Sequence, residues 1–481
     1  MEEKGVYTND NLRRYVKESN AARYQKRDFV ENLVKYLNGE GCYVYGITGA
    51  LGAGKTTGML QAIDSLNLYD KAVYITMERD SSADMADICH VIDKKCKQYI
   101  FIDEAVSIVD FFDRSGFLYD RYINNGFKVV VSSSKYGGLY ASARNALFHR
   151  MYIDKISIFT YSEARRLYGV SLADYLEVDS ICKAMPLKDV NGLLDYIDTA
   201  IVNNIENTVR RDYWDIYGNV PDREEIRAGV VYILYGVVLL SVINCKRTNI
   251  RSIREFIDDT INREEIRRFL SSEPGFPVMP VKEGLIDVIL YPLTQIEILV
   301  EIENSCSNGG SKYYITNPGL IKRIYVSIVR SFQKNGYESD KDLLFEEEFS
   351  KVRVKVLLLE SMISAQNRRM LKKWNCIFFC YQDSRSRETE FFVAEKTEEM
   401  DNDYFVVYEM KLSGNMDKSP DEIRWVEDKK LYNYLRTGCE IVGRVIIDTE
   451  GDSQKEGSQF ISAEDFLLNM DEIVEKGLNR K

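Results

Sequence analysis

The run Gly49-Ala-Leu-Gly52-Ala-Gly54-Lys55-Thr56-Thr57 gathers the residue types that hold a phosphate. Its spacing fits G-x-x-x-x-G-K-[ST]. Glycines at 49, 52 and 54 let consecutive backbone N–H groups turn toward one point and let an anion approach the chain closely. Lys55 supplies a positive charge for β- and γ-phosphates, Thr56 supplies an oxygen for Mg²⁺, and Thr57 completes the nucleotide-binding set. The helix expected from Thr56 to about Ser65 aims the positive end of its dipole at the same point.

Such a loop needs a second anionic group for the metal. Tyr99-Ile-Phe-Ile-Asp103-Glu104 is a buried strand ending in two acids. Asp103 is expected to hold a Mg²⁺-bound water and Glu104 to orient or deprotonate the attacking water. The adjacent acids favour hydrolysis over simple nucleotide binding; the plainer alternative is two solvated acids at a strand end. The next strand ends in Ser132-Ser133-Ser134, at the end of a parallel sheet that faces the ligand crevice. Ser134 is the candidate γ-phosphate sensor, although serines also cap and turn chains. Arg144 and Arg150 follow, and Arg150 leads into a strand. Either arginine is a candidate for stabilising phosphoryl charge, in cis or from a neighbouring subunit, or else forms a surface ion pair.

A second acidic set lies more than 300 residues downstream: Glu360 on a helix, Glu390 at a strand start, and Glu409-Met-Lys411 at a strand end. Alternation puts Glu409 and Lys411 on one face. Carboxylates converging on a metal beside a lysine are what metal-assisted phosphodiester cleavage requires. A solvated strand pair is the alternative.

These residues must be positioned by regular elements. Strands are expected over Cys42–Thr48, Ala72–Met77, Gln98–Asp103, Phe127–Ser132 and Met151–Ile156, with helices between them at Asp84–Lys95 and Phe117–Asn125. This alternation predicts a doubly wound parallel sheet covered on both faces. From about Tyr161 to Leu270 the pattern is helical, starting with Ser162 as a capping residue, and Arg227–Ile243 reads as a buried helix. The breakers Pro274-Gly-Phe-Pro277-Val-Met-Pro280 mark a boundary. A helix over Phe345–Lys373 opens the last segment, followed by strands at Asn375–Tyr381, Glu390–Ala394, Tyr404–Met410 and Ile441–Asp448.

The 481 residues, 45% hydrophobic and 29% charged, are ordinary for a globular protein of roughly three domains. No apolar run is expected to reach the ~20 residues of a membrane span, and the N-terminus has no apolar signal core. The expectation is a cytoplasmic protein without a membrane partner. Nine scattered cysteines and two histidines, His90 and His149, argue for reduced thiols rather than structural zinc. A net charge of −11 argues against broad non-specific DNA affinity.

The order of the Gly49–Thr56 loop, Ile-Asp103-Glu104, Val-Val-Val-Ser-Ser-Ser134, His149-Arg150 and Tyr161-Ser-Glu-Ala resembles a large prokaryotic group of AAA-type ATPases. Lys312-Tyr-Tyr-Ile-Thr-Asn-Pro318-Gly319-Leu320 is similar to the winged-helix signature of that group, with Asn317 where an acid is usual. His149-Arg150 stands for a Gly-Arg pair, and Ser132-Ser-Ser134 for Thr-Gly-Ser. The C-terminal acids resemble a PD-(D/E)XK nuclease core, with Glu390 where Asp is usual. The resemblance implies ATP and Mg²⁺ as cofactors. It also implies four units: a P-loop ATPase core with an N-terminal helix (1–160), a helical lid (161–273), a winged-helix unit (274–339) and a nuclease-like α/β domain (340–481). Two functions stay open. In one, ATP hydrolysis switches a nuclease-like domain acting on DNA. In the other, a nucleotide-switched scaffold or signalling ATPase uses an inactive nuclease-like domain for contacts with a protein partner. A trans-acting arginine would require a homo-oligomer.

Overall fold

A computed structural model describes residues 5–39, 41–77, 82–135, 137–156, 159–177, 190–242, 257, 270–271, 276–277, 280–282, 284–304, 311–334, 354–355, 357–366, 376–382, 388–395, 404–411, 440–448 and 459–478. Two sheets organise these residues. The first holds β1 (Val6–Thr8), β2 (Val44–Thr48), β3 (Ala72–Thr76), β4 (Tyr99–Asp103), β5 (Lys128–Ser133) and β6 (Met151–Lys155) in the order β1-β3-β4-β5-β2-β6. β2 to β6 are mutually parallel, and β1 adds an antiparallel edge on β3.

The central strands are rich in β-branched and aromatic residues on both faces, as strands sandwiched between helices must be. One face packs Tyr45, Tyr74, Phe101 and Val130 against Leu33, Leu60 and Ile63. The other packs Val73, Ile100, Ile102 and Val131 against Ile88, Phe111 and Leu139. The helix Lys55–Ser65 lies against the helix Asp28–Leu37 at Gly58, where a Cβ would stand 2.2 Å from the Phe29 ring. The doubly wound core is thus present. The expected helix Asp84–Lys95 is present as Met85–Lys95, with Asp84 as its cap, whose side chain accepts the Asp87 N–H in a capping box. One element differs from expectation. The segment expected as the helix Phe117–Asn125 is a π turn, Leu118–Tyr122, running into a 3₁₀ turn, Ile123–Asn125.

Beyond the core, the helix Tyr161–Tyr168 is capped by Thr160, two residues earlier than expected; its hydroxyl accepts the Glu163 N–H. The helix Arg223–Val242 is 20 residues long with a mean hydropathy of 1.7, so the expectation that no run reaches membrane length is corrected here. It is a core helix: 72% of that apolar stretch is buried against its neighbours.

The second sheet holds β7 (Leu299–Asn304), β8 (Lys312–Ile315), β9 (Cys376–Gln382), β10 (Glu388–Glu395), β11 (Tyr404–Lys411), β12 (Glu440–Asp448) and β13 (Gln459–Ser462), in the order β13-β12-β11-β10-β9-β7-β8. β7 pairs with β9 in parallel at Glu303↔Phe379 and Asn304↔Cys380. One sheet therefore runs across the boundary expected near residue 340. One apolar core does the same, joining Tyr161, Ile233, Leu285, Ile324 and Ile363 to Phe466 and Leu467 of the helix Ala463–Leu478. Residues 272–275 and 335–353, where both downstream boundaries were expected, lie outside the described residues, as does part of the expected helix 345–373. Within that helix, 354–355 and 357–366 are helical.

Candidate functional site

The loop after β2 closes on itself through its glycines. Gly52 and Gly54 take φ of +83° and +90°, which side chains resist. At Gly49 a Cβ would stand 2.1 Å from the backbone oxygen of Ile156, so the loop can lie against the end of β6 only without one. Lys55, buried as the first residue of its helix, donates to the carbonyls of Gly49 and Ala50 at 2.8 and 3.0 Å. Its ammonium is thereby held over the mouth of the loop.

Strand order assembles the rest. β5 lies between β2 and β4, with Thr48 paired to Ser133 and Ile102 to Val131. Its carboxyl end therefore stands between the loop and Asp103-Glu104. The buried Asp103 carboxylate accepts the Thr56 hydroxyl at 2.6 Å on Oδ2 and the Ser132 hydroxyl on Oδ1. Ser132 in turn accepts the Glu104 N–H at 3.1 Å. Glu104 sits at φ +55°, in the left-handed region, which costs a non-glycine residue about 1–3 kcal/mol. The turn ends β4 and lets the Glu104 carboxylate accept the Ser134 N–H at 3.0 Å, across the tip of β5. Ser134 thus meets the site through its backbone, whereas Ser132 meets it through its hydroxyl.

Mg²⁺ takes hard oxygen ligands and keeps several waters. The Thr56 hydroxyl and the Asp103 carboxylate form an oxygen pair beside the loop, a donor set that fits this ion.

Two residues of this neighbourhood, Tyr74 and Arg27, carry no motif. Tyr74 of β3 donates its phenol to Asp103 Oδ2 at 2.7 Å. Burial, and then the Asp103 charge, push that phenol well above its ordinary pKa, so it remains a donor. Arg27, just before the helix Asp28–Leu37, donates to the loop carbonyl of Ala53 at 2.5 Å and to both oxygens of Glu163 at 2.9 and 2.7 Å. Its guanidinium lies 4.2 Å from the Phe159 ring centroid. The sequence signals were an arginine at a helix start and the glutamate of Tyr161-Ser-Glu-Ala, neither of which specifies a partner 136 residues away.

Other expected residues stand apart. Arg150 precedes β6, and β6 runs parallel to β2 with Met151 opposite Val44. Arg150 therefore lies at the amino end of the sheet, a strand length from the loop, and pairs with Asp120 at 3.0 Å on the surface. The strand polarity does not bring it to the loop of its own chain. Arg144 is exposed at the end of the helix Gly138–Arg144. In the second acidic set, Glu360 is 2% exposed, and its Oε1 has no hydrogen-bond partner among the described residues. Glu390 lies in β10 and Glu409 and Lys411 in β11. The register Phe391↔Tyr408 puts the backbones of Glu390 and Glu409 at neighbouring positions. Their side chains lie outside the described residues. Among the described residues no group of three His, Cys, Asp or Glu side chains could hold a metal.

Residues 42–165 match the family model described as an AAA domain. No curated protein matches the chain. Among solved structures, a Walker-type ATPase of Pyrococcus abyssi is 14% identical, covering 62% of this chain and 95% of its own at a TM-score of 0.31. AMPPCP-bound DnaA from Aquifex aeolicus is 13% identical, covering 56% and 86% at a TM-score of 0.24. The Aeropyrum pernix ORC1 protein in complex with DNA is 13% identical, covering 67% and 93% at a TM-score of 0.24. Likeness this distant carries no argument about what the chain acts on. The domain match spans the loop, the acid pair and the parallel strands β2 to β6: over residues 42–165 the chain is similar to AAA domains, and it is an ATPase.

Proposed function

We propose that the chain hydrolyses ATP at the Gly49–Thr56 loop and uses that step to change how its C-terminal region is held. The carrying observation is the Asp103 carboxylate, which ties the loop hydroxyl of Thr56 to the Ser132 hydroxyl at the tip of the intervening strand. In this reading Lys55 and the amides of Gly52, Gly54 and Thr57 hold the phosphates. Thr56 and Asp103 hold Mg²⁺, which when bound neutralises phosphate charge. Glu104, held across the crevice by the Ser134 amide, orients the attacking water and takes its proton.

A path out of the site supports the switching role. Arg27 grips the loop carbonyl and Glu163 together, and two residues earlier the Tyr161 hydroxyl donates to Glu464 of the C-terminal helix. Lys155, at the end of β6, pairs with Glu297 at 3.3 Å. Around these contacts lies a cavity of about 260 Å³, lined in part by Phe159, Thr316 and Met362. It leaves room for the helix Tyr161–Tyr168 to shift.

The test is Glu104→Gln in the full chain. Nucleotide affinity should stay within about two-fold, and phosphate release should fall by roughly 10²–10⁴-fold, the usual range for losing a general base. Turnover near that of the unaltered chain would remove Glu104 from the mechanism.

A further inference from the structure

Asp103 collects three hydroxyl groups. Thr56 comes from the loop and Ser132 from the strand between loop and acid. The third, Tyr74, comes from β3, on the far side of β4 from the loop. The geometry that allows this is strand register. Thr76 pairs with Asp103, and Tyr74 lies two residues before Thr76, on the same face. The long side chain of Tyr74 leans along the strand, and its hydroxyl reaches the carboxylate at 2.7 Å. The ring is 0% exposed and packs 5.6 Å from the ring of Tyr15, on which Tyr7 stacks at 4.0 Å. Phe101 lies 6.5 Å away on the neighbouring strand. The ring has little freedom to turn its hydroxyl elsewhere.

The proton directions are settled by the network. Ser132 accepts the Glu104 N–H, so its own proton goes to Asp103 Oδ1. Thr56 and Tyr74 both donate to Oδ2. A carboxylate offers about four acceptor directions. Among the described residues three are taken, and the one left is on Oδ1.

We infer that Tyr74 is a positioning residue for the Mg²⁺ site: its hydrogen bond to Oδ2 sets the rotation of the Asp103 carboxylate, so that the free direction on Oδ1 meets the metal's hydration shell. The inference rests on the reading that Asp103 holds Mg²⁺. Tyr74 acts through Asp103 and touches neither nucleotide nor metal. A tyrosine there for packing alone would leave metal dependence unchanged when only its hydroxyl is removed.

The experiment is equilibrium binding of a fluorescent ADP analogue to the full chain, across a Mg²⁺ series and in EDTA, so that no turnover is involved. Tyr74→Phe keeps the ring. Its affinity in EDTA should stay within about two-fold, while its Mg²⁺ midpoint should rise by about ten-fold, the scale on which partners of metal ligands act. An unmoved midpoint, or equal losses with and without Mg²⁺, would overturn the inference. Asp103→Asn in the same series separates the two readings. A midpoint unmoved by Asp103→Asn removes the Asp103 assignment itself. A midpoint moved by Asp103→Asn and not by Tyr74→Phe removes only Tyr74. Should Tyr74→Phe not fold, 3-fluorotyrosine at position 74 retains the phenol. Its ¹⁹F resonance should shift when Mg²⁺ is added to the ADP-bound chain, and a stationary resonance would refute the role.

Discussion

Ser132 and Ser134 differ by two positions in the chain and by their whole chemistry in the fold. The Ser132 hydroxyl takes the Glu104 N–H and donates to Asp103, and the residue is fully buried. Ser132→Ala would leave the part-buried Glu104 N–H without its partner, a loss of about 1 kcal/mol, and would free one side of the Asp103 carboxylate. Phosphate release should fall by about five-fold or more where that loss is felt in the transition state, since 1.4 kcal/mol of barrier is a factor of about ten. Ser134→Ala keeps the backbone amide that holds Glu104 and should stay within about two-fold of the unaltered chain. Equal effects of the two substitutions in the same assay would contradict this division. The placement of Lys55 and Thr56 after the loop, and of Asp103 and Glu104 at a strand end, was legible in the sequence because it follows from short-range spacing. Tyr74 was not, because an aromatic in an apolar strand has the pattern of any core residue.

At the scale of elements, the Arg27–Glu163 pair joins the helix Asp28–Leu37, the loop and the helix Tyr161–Tyr168. Its side chains are 7% and 3% exposed. Removing one partner strands a buried charge, which typically costs about 3–5 kcal/mol. Glu163→Ala should therefore lower the urea midpoint by that amount of stability. It should also weaken nucleotide binding, because Arg27 would no longer be fixed against the Ala53 carbonyl. A midpoint within experimental error of the unaltered chain would show that the pair is replaceable by water. The strands of the core were readable to within a residue or two, because apolar β-branched runs bounded by turns have few alternatives. Their lateral order was not readable, and that order put β5 between loop and acids.

At the scale of the molecule, the chain behaves as an ATPase core joined to a second body that shares one apolar core across about 300 residues. The helix Ala463–Leu478 supplies Phe466, Leu467 and Met470 to that core, each fully buried. Burying such a side chain contributes about 1.5–3 kcal/mol. Truncation after Ser462 should therefore melt the second body, seen as an earlier transition in calorimetry, while the parallel sheet keeps its nucleotide-stabilised transition. A single unshifted transition would mean the two bodies do not unfold separately. The chain order suggested four segments. The joining of β7 to β9 was not legible, since the partners lie about 75 residues apart with nothing local to announce the pairing.

The sequence by itself determined the phosphate cradle and the acid pair, because both are built from residues a few bonds apart whose backbone conformations and charges act together wherever the chain goes. Only the tertiary structure decided which hydroxyls reach Asp103, that Arg27 meets Glu163, and that Arg150 stands at the other end of its strand from the loop. Those outcomes depend on strand polarity, register and lateral order, which are set by packing summed over whole faces rather than by any local spacing.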